Sequence, residues 1–428
     1  MKKKYIFPIA ILIVIFFSII YILQDSQNKI TLKLKSSIPK DTRYMLKNAI
    51  NSYLYYFDIK LKFKKSEPII SSNGKKFYIN EYNNKFLDYQ GPRSYLGHNN
   101  NNLFLVTGTG LFSYAKIDNL LNKKNFKLLG IKTNIKDLIT FNDFYVNSNY
   151  GVKGMLIDES HVYLSLTNEI SKDCISVSVI KSDLNLTKLK FSYVFKPDQC
   201  VKKINSYGEF QPIQSGGIMN DYDNENFLLT TGEFRFRDHA QNNQSIFGKV
   251  LLINKNNGNY SVISKGHRNA QGLHYDKKKK IIVSTEHGPL GGDEVNVNKN
   301  IFDNNNFGWP ISSYGEHYPK MASKDAYEKA PLHKSHSKYG FVEPVKYFVP
   351  SIGISEITKV GKKTYVAASM INKALWFFKL DSKNKITRLK RISIGERIRD
   401  IKFKEKKLFL YLEDSASIGI INLDKISI

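Results

Sequence analysis

Six times along its 428 residues the chain repeats one unit: a short apolar strand, a polar turn, a second apolar strand and a polar end. Residues 154–169 read GMLIDESHVYLSLTNE, residues 216–233 GGIMNDYDNENFLLTTGE and residues 271–288 QGLHYDKKKKIIVSTEHG. Further copies start at Ser355 and Arg399, and a weaker one at Tyr95. A typical spacing of roughly 45 to 60 residues suits one four-stranded propeller blade with its loops. The expected fold is therefore all-β, a six-bladed β-propeller spanning residues 76–428. The alternative is a β-sandwich with coincidental hairpins, a fold that rarely carries a fixed repeated unit. The one long interval, 271 to 355, holds the segment NFGWP and a polar insertion around Pro319 to Tyr339.

A hairpin begins and ends at the same edge of its sheet. Residues just before each first strand and just after each second strand therefore share one face of the disc. If the repeated hairpins are the inner strands, these residues ring the central channel. They include Gln214 and Ser215, the run from Gly266 to Asn269, the run from Glu286 to Glu294, and Glu396 to Arg399. Arg268, Arg397 and Arg399 are thus expected to converge, with Arg235 and Arg237 nearby. Arginine is suited to bidentate capture of carboxylates. Either an anionic ligand or ordinary ion pairs with Glu233, Glu286 or Glu396 would balance them.

The N-terminus carries Lys2, Lys3 and Lys4 before an apolar run from Tyr5 to Leu23. That length crosses a bilayer core, and the lysines predict a cytoplasmic N-terminus. No small-x-small cleavage site is evident near Gln24 to Gln27, which favours an uncleaved single-pass anchor (residues 1–27) over a signal peptide. The body is expected outside the cytoplasm, in the periplasm or secreted. Residues 28–75 read as a small strand–helix–strand module: alternation from Ile30, a helix after Asp41 and Thr42, then alternation from Ile59. Cys174 and Cys200 either pair in an oxidising compartment or stay as separate buried thiols. The net charge of +27 comes with no basic helix and no Arg cluster interleaved with aromatics, so no nucleic-acid partner is expected.

The segments GHRNAQGL, EHGPLGGDEVN, NFGWPISSYGEHY and GERIRDIKF resemble the quinoprotein glucose/sorbosone dehydrogenase family, the soluble aldose dehydrogenases dependent on pyrroloquinoline quinone (PQQ). The resemblance covers about residues 95 to 428, in register with the repeats. It implies a six-bladed propeller with PQQ over its channel, an aldose substrate and a separate electron acceptor. It assigns Arg268, Asn269, Arg397 and Arg399 to the tricarboxylate cofactor. It assigns the backbone carbonyls of Gly288 and Pro289 to a calcium ion, a lover of hard oxygen ligands. The family's catalytic His precedes the third repeat; Gln214 stands there, or Ile213 in a register shifted by one, and neither accepts a proton. His267 and His287 are candidate substitute bases. Glu294 is a candidate ligand of a second, structural calcium, or with Asp293 a cap of the following strand. Where the family has a cation after the fifth hairpin this chain has Ile371, with Lys373 two residues on.

Overall fold

Each repeat forms the inner hairpin of a four-stranded antiparallel sheet, and six such sheets surround one axis. This is seen in a computed structural model describing residues 59–70, 76–83, 93–122, 125–139, 150–203 and 212–425, with a few positions between 33 and 42. Blade 1 comprises Ser94–Asn99, Asn102–Thr107, Phe112–Lys116 and Asn125–Thr133. Blade 2 comprises Gly151–Ile157, His161–Ser171, Cys174–Asp183 and Ser192–Phe195. Blade 3 comprises Gly216–Asp221, Asn226–Thr231, Lys249–Asn254 and Tyr260–Lys265. Blade 4 comprises Ala270–Asp276, Ile281–Glu286, Asp293–Asn298 and Lys346–Phe348. Blade 5 comprises Ile354–Lys359, Thr364–Ser369, Ala374–Leu380 and Ile386–Ser393. Blade 6 takes Ile398–Lys404, Lys407–Leu412 and Ser417–Asn422 from the end of the chain. Its outer strand, Asn80–Asn83, comes from the beginning and pairs with Ser417–Asn422. The first strand of every blade packs on that of the next, and blade 6 on blade 1, so the ring is closed.

The polar turns of the repeats have a common cause. Asp158 Oδ1 accepts from the amides of Ser160 and His161, Asp223 Oδ1 from Glu225 and Asn226, and Asp276 Oδ1 from Lys278 and Lys279. An aspartate that hydrogen-bonds the backbone two residues on fixes the turn locally. The second strands are buried on both faces, Ile281–Glu286 throughout, because each sheet is covered by two neighbours; hence they are apolar runs. The long interval before the fifth repeat is an insertion between the third and fourth strands of blade 4. Its Asn305–Asn306 pairs with the outer strand of blade 3.

The N-terminal boundary differs from expectation. Ile59–Lys65 is a strand, but it lies antiparallel between Asn80–Asn83 and Asn125–Thr133, bridging the outer edges of blades 6 and 1. It belongs to the propeller sheet and not to a module ending at residue 75, because two open sheet edges offer it a full set of backbone partners. Of the strand expected from Ile30, Lys33 is described and is helical. The apolar run 5–23 and most of the expected helix after Thr42 lie outside the described residues. Among the described residues no helix is long and apolar enough to cross a membrane.

Cys174 and Cys200, 26 positions apart, form a disulfide beside the bridge that joins Ile175 to Val201. Closing a loop of that length stabilises by about 3 kcal/mol in the chain-entropy account. Urea unfolding of a Cys174→Ser/Cys200→Ser variant is expected to show that loss, and reductant is expected to destabilise the wild-type chain but not the variant.

Candidate active site

At one end of the six inner hairpins lies a cavity of about 210 Å³, lined by Arg93, Tyr95, Lys153, Ile213, Gly216, Asn269, Gln271, His287, Met370, Arg397 and Arg399. Of the three arginines expected to converge, Arg397 and Arg399 line it, together with Asn269 and His287, and Arg268 does not. Arg397 and Arg399 flank a buried carboxylate that the sequence reading did not include, Glu413, immediately after the second strand of the same hairpin. Arg397 Nε stands 3.0 Å from Glu413 Oε2 and Arg399 Nε 2.5 Å from Oε1. Burial opposes the Arg399 charge, but Glu413, Tyr95 and Asp400 outweigh it and its pKa is raised. The carboxylate fixes both guanidiniums by their Nε atoms and leaves terminal nitrogens for a ligand. Of the carboxylates proposed as partners, Glu396 instead accepts from Ser415.

Arg268 sits behind this wall. Its Nη1 donates to the His287 carbonyl at 3.1 Å, and its guanidinium lies 5.3 Å over the Trp309 ring. It lines a smaller adjoining cavity with Glu286, Gly288 and Trp309. Gln214, expected at the position of the family's base, does not face the large cavity. With its amide turned to satisfy its neighbours, its nitrogen donates to Glu233 Oε1 (2.8 Å), and its oxygen accepts from Arg268 Nη2 (3.1 Å) and Arg235 Nε (3.0 Å). Glu233 is fully buried, and burial raises its pKa to about 7 against the pull of Arg268 and Arg237. Its Oε2 has no hydrogen-bond partner among the described residues. Gln214 is therefore a hub of a buried polar cluster, whereas Ile213 lines the large cavity.

His267 is also structural: Nδ1 is 3.0 Å from Glu286 Oε2, Nε2 2.8 Å from Ser264 Oγ, and the ring stacks on Phe307. His287 differs. Its Nε2 is 2.5 Å from the Ile354 carbonyl, which can only accept, so Nε2 carries the hydrogen and Nδ1 keeps an acceptor lone pair. Burial, with Arg268 and Arg399 against Asp293, holds its pKa below the usual range, so the ring is neutral. It is the one ring nitrogen base among the described residues lining the large cavity.

Asp293 ties blade 4 to blade 5, accepting from the amides of Gly288 (3.2 Å), Ile352 and Ile354 (3.0 Å each). This presents the Gly288–Pro289 turn. A Cβ at Gly288 would fall 2.3 Å from the carbonyl oxygens of Gly291 and Gly292, so only glycine fits. Neither the Gly288 nor the Pro289 carbonyl accepts a hydrogen bond among the described residues, which leaves hard oxygen donors open to a cation. Among the described residues no three His, Cys, Asp or Glu side chains gather around a metal position. Any cation at the turn would take its remaining ligands from cofactor or water. Glu294 has other partners: His336 Nε2 at 3.2 Å and Asn296 Nδ2 at 3.1 Å. Lys373 pairs with Asp414 at 2.7 Å and does not line the cavity.

A sequence profile described as glucose/sorbosone dehydrogenase matches residues 131–422. The chain belongs to the glucose/sorbosone dehydrogenase family. An uncharacterized Synechocystis protein is 32% identical over 191 residues, 40% of this chain and 43% of that protein. The aldose sugar dehydrogenase YliI of Escherichia coli is 27% identical over 148 residues, 31% of this chain and 37% of that enzyme. The chain thus spans less than half the length of these curated relatives. Among solved structures, a glucose dehydrogenase superposes with a TM-score of 0.61 at 20% identity, covering 78% of this chain and 96% of that one. The PQQ-bound aldose sugar dehydrogenase of Streptomyces coelicolor gives 0.54 at 17% identity, covering 75% and 90%. At these identities the superpositions support the propeller fold alone. Within the glucose/sorbosone dehydrogenase family fold, two cavity cations stand out that the sequence reading left aside, Arg93 and Lys153. Both occupy the position before or at the start of a first strand, in repeats 1 and 2, so the rule that singled out Arg268 and Arg397 reaches them as well.

Glu413 is 6% exposed between two cations. Removing one partner of a buried ion pair leaves an uncompensated charge and costs about 3 kcal/mol. Glu413→Ala is expected to lower stability by that amount in urea unfolding, with Glu413→Gln less affected because its amide oxygen still accepts.

Proposed function

We propose that this chain is a PQQ-dependent aldose dehydrogenase, anchored in the inner membrane by its N-terminal segment with the propeller in the periplasm. The observation that carries the reading is the Arg397–Glu413–Arg399 clamp at a cavity with no carboxylate among its described lining residues. A polycarboxylate quinone fits such a lining. Asn269 and the two arginines would hold the cofactor, and the open carbonyls of Gly288 and Pro289 would hold calcium. When bound, PQQ would supply the two-electron acceptor and calcium a Lewis acid.

The chain's own residues would do the rest. The cavity admits the sugar beside Ile213 and Met370, which exclude water. His287 Nδ1 takes the proton from the anomeric hydroxyl, Ile354 holding the ring in the required tautomer. Hydride leaves C1 of the sugar, C1–O becomes a carbonyl, and the product is the lactone. The electrons pass on to a separate acceptor. The disulfide supports an oxidising compartment.

A second reading, a propeller that binds the cofactor or sugar without turnover as a sensor or interaction module, is favoured by one observation. The family's base would correspond to Gln214, or to Ile213 in a register shifted by one, and neither takes a proton. Both readings are tested by adding PQQ and calcium chloride to the purified chain. A ligand that binds only the folded state stabilises it, by about 2.7 kcal/mol at a hundredfold excess over Kd, and the thermal midpoint should rise by several degrees. Aldoses are then assayed with a dye acceptor. On the dehydrogenase reading His287→Gln lowers kcat by about 10² to 10⁴ and keeps the PQQ-dependent shift. A shift with no turnover by the wild type selects the second reading, and no shift rejects both cofactor assignments.

A further inference from the structure

The lining of the large cavity divides around the ring. Arg397 and Arg399 come from blade 6, whereas Ile213 stands just before the first strand of blade 3 and Met370 just after the second strand of blade 5. His287 follows the second strand of blade 4 and lies between them in ring order. The candidate base is thus flanked by one apolar side chain on each side. Both are placed by contacts behind them. Gln214 is turned into the buried cluster with Glu233 and Arg268, and its neighbour Ile213 lines the cavity and is 38% exposed. The Met370 amide donates to the Gly353 carbonyl at 2.8 Å, and Arg397 Nη2 lies 3.7 Å from the Met370 Sδ. On blade 4, Asn269 Oδ1 accepts from the Gly216 amide at 3.1 Å and from Gln271 Nε2 at 3.0 Å, which uses both its lone pairs.

We propose that Ile213 and Met370 form an apolar subsite around His287, so that the aldose taken by this propeller is a deoxy sugar, with a hydrogen or a methyl group beside the reacting carbon where an ordinary aldose carries a hydroxyl or hydroxymethyl group. This rests on the dehydrogenase reading above. A sugar whose O1 meets His287 Nδ1 directs the groups on either side of C1, those at C2 and C5, toward these two side chains. A hydroxyl pressed against Ile213 or Met370 loses its water and gains no partner. A hydrogen or methyl group there buries apolar surface instead. The chemical step is unchanged: C1 gives its hydride to the bound quinone, O1 gives its proton to His287, and the product is the lactone of the same deoxy sugar.

The test uses the full chain and two matched sets of sugars: D-galactose, 2-deoxy-D-galactose and 6-deoxy-D-galactose, and the same three in the gluco series. Turnover is measured on the protein loaded with PQQ and calcium, and binding by calorimetry in parallel. At least one deoxy sugar is expected to exceed its parent in kcat/KM by about 10- to 100-fold, the discrimination an apolar pocket gives against an added hydroxyl. Which one does so identifies the deoxygenated carbon. Ile213→Thr or Met370→Gln, whichever faces that carbon, should cut the preference about tenfold, as a polar partner for the hydroxyl is restored. Met370→Leu, apolar like the native residue, should retain the preference whatever its rate. The PQQ-dependent thermal shift, followed in each variant, shows that it is folded and loaded. Equal kcat/KM for parent and deoxy sugars would overturn the proposal, and so would a loaded protein that turns over none of the six. A change in the PQQ concentration needed for the shift, with the sugar preference untouched, would give these side chains to the cofactor and overturn it too. If PQQ gives no shift with the wild type, the dehydrogenase reading fails separately. Calorimetry with the six sugars on the protein without PQQ then decides, by the same preference and the same variants.

Discussion

The ring depends on hydrogen bonds that cross from blade to blade at the inner strands. An innermost strand has one edge paired within its own sheet, and buried backbone groups on the other edge need partners. Hydroxyls at one position of the repeat supply them. Ser165 donates to the Gly217 carbonyl, Thr230 to the Ala270 carbonyl at 3.3 Å and Thr285 to the Ser355 carbonyl at 2.5 Å. Ser355 continues the series with Ile398 at 2.6 Å, and Asp400 Oδ2 accepts from the Leu96 amide at 2.6 Å, across the seam between the last and first blades. These bonds set how one blade follows another. They place Arg399 and Arg93 together although 306 positions separate them.

Given that ring, the site is a problem of charge. Its walls bring four arginines or lysines of blades 1, 2 and 6 to one end of the channel, Arg93, Lys153, Arg397 and Arg399, with Arg268 behind them. Glu413 takes two guanidiniums by their Nε atoms, and Glu233 answers the cluster around Arg268 through Gln214. A single carboxylate under a pair of arginines holds them in place without consuming their terminal donors. That is the arrangement wanted where a second, mobile anion is to bind.

The sequence made the repeat legible because hairpin turns are local: in three of the six an Asp and two amides decide the turn. Six copies in register therefore imply six blades. The site residues Asn269, His287, Arg397 and Arg399 were legible for the same reason, as positions relative to a hairpin. What sequence reasoning missed depends on contacts between distant segments. The strand Ile59–Lys65 shows the same alternation whether it stands in a small module or closes a propeller seam. Glu413 follows an unremarkable apolar strand, and only the pairing of Ile398 with Leu412 brings it under the arginines. Gln214 marks the limit of register: a position beside a hairpin is legible, but the direction of this side chain is set by Glu233, Arg235 and Arg268, which lie elsewhere in the chain or across the turn.

The loops around the fourth hairpin then have a role different from that of a simple ligand-binding cluster. Gly266 to Tyr318 contains much of the polar chemistry, yet only Asn269, Gln271 and His287 of it face the large cavity. The rest is scaffold. The Trp309 amide donates to the Gly266 carbonyl at 3.0 Å, and Gln241 Nε2 donates to the Trp309 carbonyl at 2.6 Å, so the insertion is tied to blade 3. With its ring under Arg268, Trp309 holds a buried guanidinium by a contact that needs no countercharge. Arg268 in turn holds the His287 carbonyl. The inserted loop, the arginine and the histidine form one mechanical chain that ends at His287 in the cavity lining. The His287 ring is positioned by blades 3, 4 and 5 together, through Arg268, its own strand and the Ile354 carbonyl.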